Sequence, residues 1–393
     1  MSQHTDSQLN IEDLDYDLDM KRRPQTRRSR RKKHKGLQRA LAWLLVFLLI
    51  IVLVVMIVAL YISHGGRSLR ERTAGVTPNL DTEQVENEEQ GTYVAQTDSV
   101  WQEGWVRYQG KIYEYNEDIL TFLVMGIDKM EEVSESEDDV SGGQSDALFL
   151  VIANPDDRSI KILAVNRDTM TDIVAYNVGA DGSSPVMNAQ IATQHGFGDG
   201  KELSCELTRD AVSRLLFDLP ISGYVSVNMA AIPELNDAMG GVDVTSLEDL
   251  SKVIKGAKEG AELHLKGMDA FLYVEYRDTQ VFESARGRLA RQKQYLTAFM
   301  HKAIAATKED ITLPINLYGK LKQYMVTDVT TDELAYLASE LVNYSFDQDA
   351  IYTMEGTTIE WNGHEQFRPD YDALKDMMIR LFYREINPET EQQ

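Results

Sequence analysis

The sequence predicts an α/β fold, preceded by one helix that is long enough to span a membrane. Short strands alternate with helices along most of the chain, and turn signals separate them. Several strands are apolar throughout, as in Ile119–Gly126, rather than alternating between apolar and polar residues. Such strands are typical of a sheet that helices cover on both faces. The remaining observation is an uncharged stretch of 23 residues, Ala40–Ile62.

The stretch Ala40–Ile62 is predicted to be a retained transmembrane helix, because 23 apolar residues can cross a bilayer with some tilt. A signal peptide would have a shorter apolar core, with a small-residue cleavage pattern close behind it. The flank before the stretch is rich in Lys and Arg, whereas the flank after it carries few. The positive-inside rule therefore predicts a cytoplasmic N-terminus and an extracellular C-terminal domain.

Composition divides the chain into four segments. Residues 1–39 hold 11 Lys+Arg against 6 Asp+Glu and are predicted to be a disordered cytoplasmic tail. Residues 40–62 are the predicted span, residues 63–100 a polar linker, and residues 101–390 the extracellular domain. The chain after residue 39 carries 29 Lys+Arg against 57 Asp+Glu. A domain this acidic is a poor partner for nucleic acid, and the basic tail is interpreted as contacting lipid headgroups.

Periodicity and turn signals place the elements of the domain in order. Aromatic and polar residues alternate around Gln109-Gly110, which predicts a hairpin over 101–115. Further strands are predicted over 119–126, 147–153, 160–165, 224–227, 242–244 and, at a sheet edge, 351–355. Apolar residues at helical spacing predict helices over 206–217, 232–239, 268–276, 288–306 and 371–382.

Charged residues lie at the ends of the first strands after the hairpin. Asp128 follows the strand over 119–126, Asp146 precedes the next strand, and Arg167-Asp168 follows the third. The second and third strands form an antiparallel hairpin, so Asp146 and Arg167 are neighbours. Asp128 joins them if the first strand pairs antiparallel with the second. This set suits Mg²⁺, or Mn²⁺ in its place, beside a phosphate; the alternative is solvated strand ends and an ion pair that closes a turn.

Arginines also crowd the start of the helix predicted over 288–306. Arg288 and Arg291 occupy its first turns, with Gln292 beside Arg288 and Arg277 a short way upstream. Cations at a helix N-terminus oppose the helix dipole by about 0.3–1 kcal/mol each. The arrangement becomes favourable when an anion binds there. The alternative is a surface helix whose arginines form ion pairs in an acidic domain.

Six segments, taken in order, resemble the LytR-CpsA-Psr family. They are LVMGID, GGQSDALFLVIANPDDRSIKILAVNRDTM, GYVSVN, LNDAMGGVDV, LHLKGMDAFLYVEYRD and RLARQKQYL. The resemblance implies an extracellular α/β/α sandwich with a central mixed sheet and a hydrophobic pocket for a polyprenyl chain. It also implies a phosphotransferase that moves a glycopolymer from a polyprenyl-pyrophosphate carrier to peptidoglycan.

The resemblance further implies roles for individual residues. Asp128 and Asp146 match the aspartates that hold Mg²⁺ against the pyrophosphate. Arg167 matches the arginine of the family's Arg-Asp-Thr motif and Asp168 its orienting partner, so the implied catalytic set is Asp146, Arg167 and Asp168. The implied pyrophosphate ligands are Arg167, Arg277, Arg288, Arg291 and Gln292.

Three positions depart from the family's pattern. Glu275 stands where the first arginine of an Arg-x-Arg pair is usual, and Val186-Met187 stand where a basic residue is common. Ser284-Ala285 replace an aspartate. A carboxylate at a phosphate contact repels the anion. The departures keep a second hypothesis open, in which the protein binds polyprenyl phosphates or acts as a scaffold in wall assembly without turnover.

Overall fold

A mixed sheet of six strands forms the centre of the folded domain. The computed structural model describes residues 28–80, 102, 104–136, 141–179, 181–277, 284–347 and 349–387. In spatial order the strands are β11 (Met325–Thr327), β8 (Gly223–Asn228), β3 (Leu120–Ile127), β4 (Ser145–Asn154), β5 (Ser159–Val165) and β12 (Ile351–Thr353). The pairs β3–β8 and β5–β12 are parallel, and the other three pairs are antiparallel.

Smaller antiparallel sheets surround this centre. One has three strands, β1 (Trp105–Tyr108), β2 (Lys111–Tyr115) and β15 (Tyr383–Ile386). The other three are hairpins or strand pairs: β6 (Met170–Val174) with β7 (Val186–Gln190), β9 (Val242–Thr245) with β10 (Glu262–Leu265), and β13 (Gly356–Trp361) with β14 (His364–Pro369). Gln109 and Gly110 both adopt positive φ between β1 and β2, which confirms the predicted turn.

Eight α-helices complete the part of the chain that the structure describes. They are α1 (Arg28–Glu71), α2 (Glu202–Leu215), α3 (Ala231–Ala238), α4 (Met268–Glu275), α5 (Ser284–Glu309), α6 (Leu313–Leu321), α7 (Thr331–Leu341) and α8 (Tyr371–Phe382). Short 3₁₀ helices lie at Ile191–Phe197 and Lys322–Tyr324. All five predicted domain helices are present, and α8 has the predicted bounds.

Helices cover both faces of the central sheet. Alternate residues of β3, such as Leu123 and Met125, pack in one apolar core with α2 and α8. On the opposite face, Ile162 of β5 packs against α5, and Phe122 of β3 packs with Leu337 of α7. A strand that is buried on both sides is apolar throughout, as β3 and β4 are. The predicted α/β/α sandwich with a central mixed sheet is confirmed.

Helix α1 extends beyond both ends of the predicted membrane span. It begins at Arg28, inside the segment predicted to be disordered, because Lys, Arg, Gln and Leu continue the helix readily. It ends at Glu71, so the predicted linker cannot begin at residue 63. Within the described residues, Ile50–Glu71 is the one helix that is long and apolar enough to cross a membrane. Residues 1–27 of the predicted tail and 81–100 of the predicted linker lie outside the described residues.

The last turns of α1 belong to the folded domain. Contacts divide the chain into two compact units, Met1–Leu60 and Tyr61–Gln393. Within the second unit, the Tyr61 hydroxyl is 2.7 Å from Oγ1 of Thr331, and His64 Nδ1 is 2.7 Å from Oδ2 of Asp332. Leu69 is fully buried. This packing against α7 is the reason that the helix continues past residue 63.

Candidate active site

The predicted strand pairing brings Asp146 and Arg167 together. β4 pairs antiparallel with β5, and Leu148 lies opposite Val165, so the start of β4 faces the end of β5. The Arg167 guanidinium donates through Nη1 to Oδ1 of Asp146. It also donates through Nη2 to Oε1 of Gln144 at 3.0 Å. The prediction that these side chains are neighbours is confirmed.

Asp128 joins this edge, because β3 also pairs antiparallel with β4 and Ile127 lies opposite Ser145. The backbone N–H of Asp128 donates to the carbonyl of Gln144 at 3.1 Å, and the N–H of Gln144 donates to Oδ1 of Asp128 at 2.6 Å. Asp128 is exposed, whereas Asp146 is half-buried. The antiparallel pairing of β3 with β4 is therefore present, and it places both aspartates at the same edge of the sheet.

Asp168 lies on the other side of the Arg167 side chain. Arg167 Nε is 3.4 Å from Oδ1 of Asp168, which also accepts from Nε2 of Gln190 at 3.0 Å. Arg167 is thus held between two carboxylates, and its fork is kept at the end of β5. This agrees with the expectation that Asp168 orients the arginine.

Burial makes both carboxylates more basic. Burial raises the pKa of Asp146, and the charge of Asp128 adds to the rise, while Arg167 opposes it. Burial likewise raises the pKa of Asp168, with Glu365 adding to the rise and Arg167 opposing it. Carboxylates with raised pKa values beside an arginine are typical of sites that transfer protons.

A cavity of about 1420 Å³ opens beside this cluster. Its lining combines charged and apolar residues. Asp146, Arg167 and Asp168 are among the charged ones, and the apolar ones include Leu148, Phe149, Val165, Leu272, Leu289 and Ile359. Asp128 is not part of the lining, although its charge acts on Asp146. A cavity of this composition can hold a ligand with an anionic end and an apolar end.

Helices α4 and α5 form a second wall of the cavity. Arg288 and Gln292 line it from the first turns of α5, and Arg277 lines it from just beyond α4. Arg288 Nη1 is 3.9 Å from Oε1 of Glu275. Gln292 also donates through Nε2 to the carbonyl of Val274 at 3.1 Å. Three of the predicted pyrophosphate ligands, Arg277, Arg288 and Gln292, therefore line the same cavity as Arg167.

Arg291 has a different position from the one expected for a pyrophosphate ligand. It is 1% exposed and is not part of the cavity lining. Its guanidinium donates to the carbonyls of Tyr273 and Tyr276, and its Nε is 2.8 Å from Oε1 of Glu248. In this structure Arg291 fixes the end of α4. The segment that Arg291 holds also contains Glu275 and Arg277, and both of these residues line the cavity.

Glu275 and Val186, two of the positions that depart from the family's pattern, have contrasting surroundings. Glu275 is half-buried in the cavity lining, where burial raises its pKa, Arg288 opposes the rise, and Asp146 adds to it. Val186 is 65% exposed on β7 and is not part of the lining. Residue 275 therefore contributes a carboxylate to the cavity lining, whereas residue 186 lies on an exposed hairpin.

The hairpin of β13 and β14 is the part of the site that the sequence analysis missed. Thr358, Glu360, His364 and Glu365 all line the cavity. Arg277 donates through Nη2 to Oε1 of Glu365 at 3.0 Å. The signal was available, because Asn-Gly between two runs of alternating residues strongly favours a two-residue hairpin turn.

The donor set fits a divalent cation only if the substrate completes it. Within the described residues, no group of three or more His, Cys, Asp or Glu side chains is placed to hold a metal ion. One oxygen of Asp146 accepts from Arg167, and one of Asp128 accepts from Gln144. Mg²⁺ commonly takes one or two carboxylates and fills its remaining positions with water and phosphate oxygens. Asp128 and Asp146 suit that second kind of site.

Comparisons with known proteins agree with this architecture. The model of the LytR_cpsA_psr (LytR-CpsA-Psr) family matches residues 79–382. Over 223 residues the chain is 30% identical to the polyisoprenyl-teichoic acid–peptidoglycan teichoic acid transferase TagU of Halalkalibacterium halodurans. That match covers 57% of this chain and 65% of the relative, so it spans less than two thirds of the relative's length. The protein of the same name from Bacillus subtilis is 26% identical over 269 residues, covering 67% of this chain and 77% of that one.

Solved structures share the fold. The crystal structure of B. subtilis TagV superposes with a TM-score of 0.52 at 23% identity, covering 67% of this chain and 95% of that one. Protein gbs0355 from Streptococcus agalactiae superposes with a TM-score of 0.54 at 20% identity, covering 67% and 86%. At these identities the likeness shows the fold, which is the α/β/α sandwich described above.

Proposed function

Because this chain belongs to the LytR-CpsA-Psr family, we propose that it is a membrane-anchored extracellular phosphotransferase. It would move a glycopolymer from a polyprenyl-pyrophosphate carrier to peptidoglycan. Relatives named as transferases between these classes of molecule support the proposal. The observation that carries it is the Arg167 fork, held between Asp146 and Asp168 in the lining of a cavity that also contains apolar residues.

The charged and the apolar lining residues suit the two parts of such a donor. Arg167, Arg277 and Arg288 present guanidinium groups, which bind phosphate oxygens in pairs. Gln292 adds an amide to the same lining. The apolar lining would take the first isoprene units of the carrier. Arg291 would support this binding from behind by fixing the end of α4.

The proposed reaction is one displacement at phosphorus. A hydroxyl oxygen of the acceptor forms a bond to the phosphorus next to the glycopolymer's first sugar. The bond from that phosphorus to the bridging oxygen breaks, and polyprenyl phosphate leaves with the electron pair. The hydroxyl proton passes to Asp146 or Asp168; burial raises the pKa of Asp168, which favours acceptance of the proton there. Arg167 stabilises the negative charge that develops on the phosphoryl oxygens.

Asp128 and Asp146 would hold Mg²⁺, or Mn²⁺ in its place. The ion would supply positive charge against the pyrophosphate and so stabilise the leaving group. Because only two protein carboxylates are available there, we expect the ion to bind together with the donor. Metal affinity measured by calorimetry should therefore increase when a non-hydrolysable polyprenyl pyrophosphate is added.

The proposed location follows from α1. Its segment Ile50–Glu71 is long and apolar enough to cross a membrane, and Lys and Arg are concentrated before the apolar stretch. A single span with a cytoplasmic N-terminus would place the domain outside the cell. Lipid-linked pyrophosphates and peptidoglycan are both accessible at that surface. Protease protection of a tag at each end of the chain tests this orientation.

Substitution of charged residues in the cavity lining tests the activity. Asp146→Ala and Arg167→Ala should each lower transfer of glycopolymer to peptidoglycan by about 10²–10³-fold, since each removes a group that acts on the reacting phosphate. The matched control is Asp157→Ala, an exposed aspartate at the opposite end of the same β4–β5 hairpin. Circular dichroism establishes that each variant is folded. Normal transfer by both site variants would refute the assignment.

One observation favours a second candidate function, a lipid-binding or scaffolding protein without turnover. In this structure each of the three cavity arginines faces a carboxylate: Arg167 lies between Asp146 and Asp168, Arg288 lies near Glu275, and Arg277 pairs with Glu365. A pyrophosphate would have to compete with these carboxylates. The wild-type chain, incubated with Mg²⁺, carrier-linked polymer and peptidoglycan, separates the two functions. Carrier that binds without any release of polyprenyl phosphate would favour the second.

A further inference from the structure

The β13–β14 hairpin is anchored to the candidate active site along one strand. The backbone N–H of Phe367 donates to the carbonyl of Asp168 at 2.8 Å. Nε2 of Gln190 donates to the carbonyl of Glu365 at 2.7 Å, and Arg277 pairs with the Glu365 carboxylate. The Phe367 side chain is buried in the main apolar core. The hairpin is therefore a fixed wall of the cavity, and its base is attached to the residues that would bind the pyrophosphate.

The tip of this hairpin presents a large aromatic ring to solvent. Asn362 and Gly363 form the turn with φ of 52° and 78°, and Trp361 immediately precedes them. Trp361 is 62% exposed. Exposing an indole ring has a cost, because burial of a large aromatic side chain is strongly favourable. An exposed tryptophan on a fixed hairpin beside a cavity therefore indicates a ligand that covers it.

The residues around Trp361 indicate the chemistry of that ligand. Glu360, Gly363 and His364 line the cavity next to it, and Thr358 follows further down β13. A carboxylate accepts hydrogen bonds from sugar hydroxyls, and an imidazole and a hydroxyl can both accept and donate them. The indole face packs against the aliphatic C–H face of a pyranose ring. The combination favours a carbohydrate over a lipid chain or a peptide.

Charge distinguishes between the two carbohydrates of the proposed reaction. Glu360 places negative charge on the hairpin wall, and the domain as a whole is strongly acidic. A phosphate-rich glycopolymer would be repelled here, since like charges at close range are unfavourable. The polysaccharide backbone of peptidoglycan carries no phosphate charge along its length. The wall therefore fits the acceptor better than the donor.

We propose that the β13–β14 hairpin seats the acceptor glycan, with Trp361 as its stacking surface and His364, which lies opposite Trp361 on the neighbouring strand, as a partner of its hydroxyl groups. The inference deepens the proposed function and rests on it for the identity of the acceptor. A glycan on this wall would have its hydroxyls directed toward the cavity that Asp146 and Arg167 share. It would thus approach the donor phosphate from the hairpin side.

Binding of the acceptor alone tests the inference, without any need for turnover. The full-length chain in detergent micelles is titrated calorimetrically with peptide-free glycan strands prepared from peptidoglycan. Trp361→Ala should weaken this binding by about tenfold, equivalent to about 1.4 kcal/mol, and Trp361→Phe should retain most of it. The matched control is Tyr371→Ala, an aromatic residue at the start of α8 that is 50% exposed and whose ring packs against Phe217 rather than at the hairpin tip. It should leave binding unchanged.

Three results would overturn the inference. They are unchanged glycan binding by Trp361→Ala, equal weakening by Tyr371→Ala, and no glycan binding by the wild-type chain. A second titration with an isolated teichoic acid chain adds a further test. If Trp361→Ala weakens that binding instead, the hairpin seats the donor. Failure of the proposed function is a separate result: the wild type would bind glycan strands at Trp361 but would not transfer polymer to them.

Discussion

Two regions of the domain hold arginines against buried carboxylates, and they satisfy those carboxylates to different degrees. At the end of α1, the carboxylate of Glu333 accepts from Ser68, Arg72 and the backbone N–H of Thr330, each at 2.8 Å. Its side chain is fully buried. At the candidate active site, Asp146 and Asp168 share Arg167 beside a large open cavity. Burial there raises the pKa of both aspartates despite the arginine.

The difference separates a structural ion pair from a functional one. Around Glu333 each available hydrogen bond is made inside the fold, so the ion pair holds the end of α1 against α7. At the active site the protein leaves part of the hydrogen-bonding capacity of Arg167, Asp146 and Asp168 facing the cavity. Uncompensated burial of charge lowers stability, and it is typical of residues kept for catalysis or binding. The two regions should therefore respond to substitution in opposite ways.

The largest effect on stability is expected from Arg72→Ala. This change removes the charged partner of a fully buried carboxylate, which should lower the free energy of unfolding by about 3 kcal/mol. Transfer activity per folded molecule should stay the same, since Arg72 is remote from the cavity lining. Denaturant unfolding of the domain, followed by tryptophan fluorescence, measures the change.

The control for this comparison lies two residues away in the same segment. Arg70 is exposed and donates to the Tyr336 hydroxyl at 3.0 Å, so Arg70→Ala should change stability by less than about 1 kcal/mol. Equal losses for the two variants would show that burial of Glu333 is not the source of the effect. A loss of transfer activity in folded Arg72→Ala would show that the two regions are not separable.

A smaller effect is expected where α1 approaches α7 most closely. A Cβ added at Gly65 would lie 2.2 Å from the carbonyl oxygen of Asp332, which belongs to the backbone and cannot easily move. Gly65→Ala should therefore destabilise the domain by about 2 kcal/mol. Gly319→Ala is the matched control in α6, where a Cβ would meet nothing within 4 Å. It should stabilise by about 0.5–1 kcal/mol, since alanine favours the helix.

These glycines also explain one limit of prediction from sequence. Gly65-Gly66 in a polar segment predicted a linker, because glycine favours flexible chain when nothing packs against it. In the structure a Cβ at Gly66 would lie 2.6 Å from the Tyr336 ring, so both glycines permit close packing of helices. The partner, α7, is more than 260 residues away in sequence. Local composition carries no information about such a contact.

The candidate site shows the same division between local and distant information. Asp128, Asp146 and Arg167 could be predicted as neighbours because they lie at the ends of three strands that are consecutive in sequence and pair antiparallel. Arg291 could not be placed, since three residues rotate a side chain by about 60° from Arg288. That rotation decides between the cavity and the end of α4, and only the packing of α4 on α5 reveals it.

The smallest effect is expected from Glu275→Gln, and it tests whether burial outweighs the attraction of Arg288. Burial raises the pKa of Glu275 above its ordinary value of 4.5, so its ionised form disfavours the folded state at higher pH. Below that ordinary value the carboxyl is protonated in both the folded and the unfolded state. The variant should therefore melt about 1–2 °C above the wild type at pH 8. The gain should shrink as the pH falls toward 4.5.

Glu360→Gln provides the control for charge alone, because Glu360 lines the same cavity but is exposed. Its melting temperature should match that of the wild type at both pH values. A lower melting temperature for Glu275→Gln at pH 8 would mean that the ion pair with Arg288 stabilises the fold, as the pairs at the end of α1 do. The departure from arginine at residue 275 would then be a structural feature. The predicted rise in melting temperature would instead show that the ionised Glu275 lowers the stability of the fold, as expected for a charge that is half-buried beside the cavity.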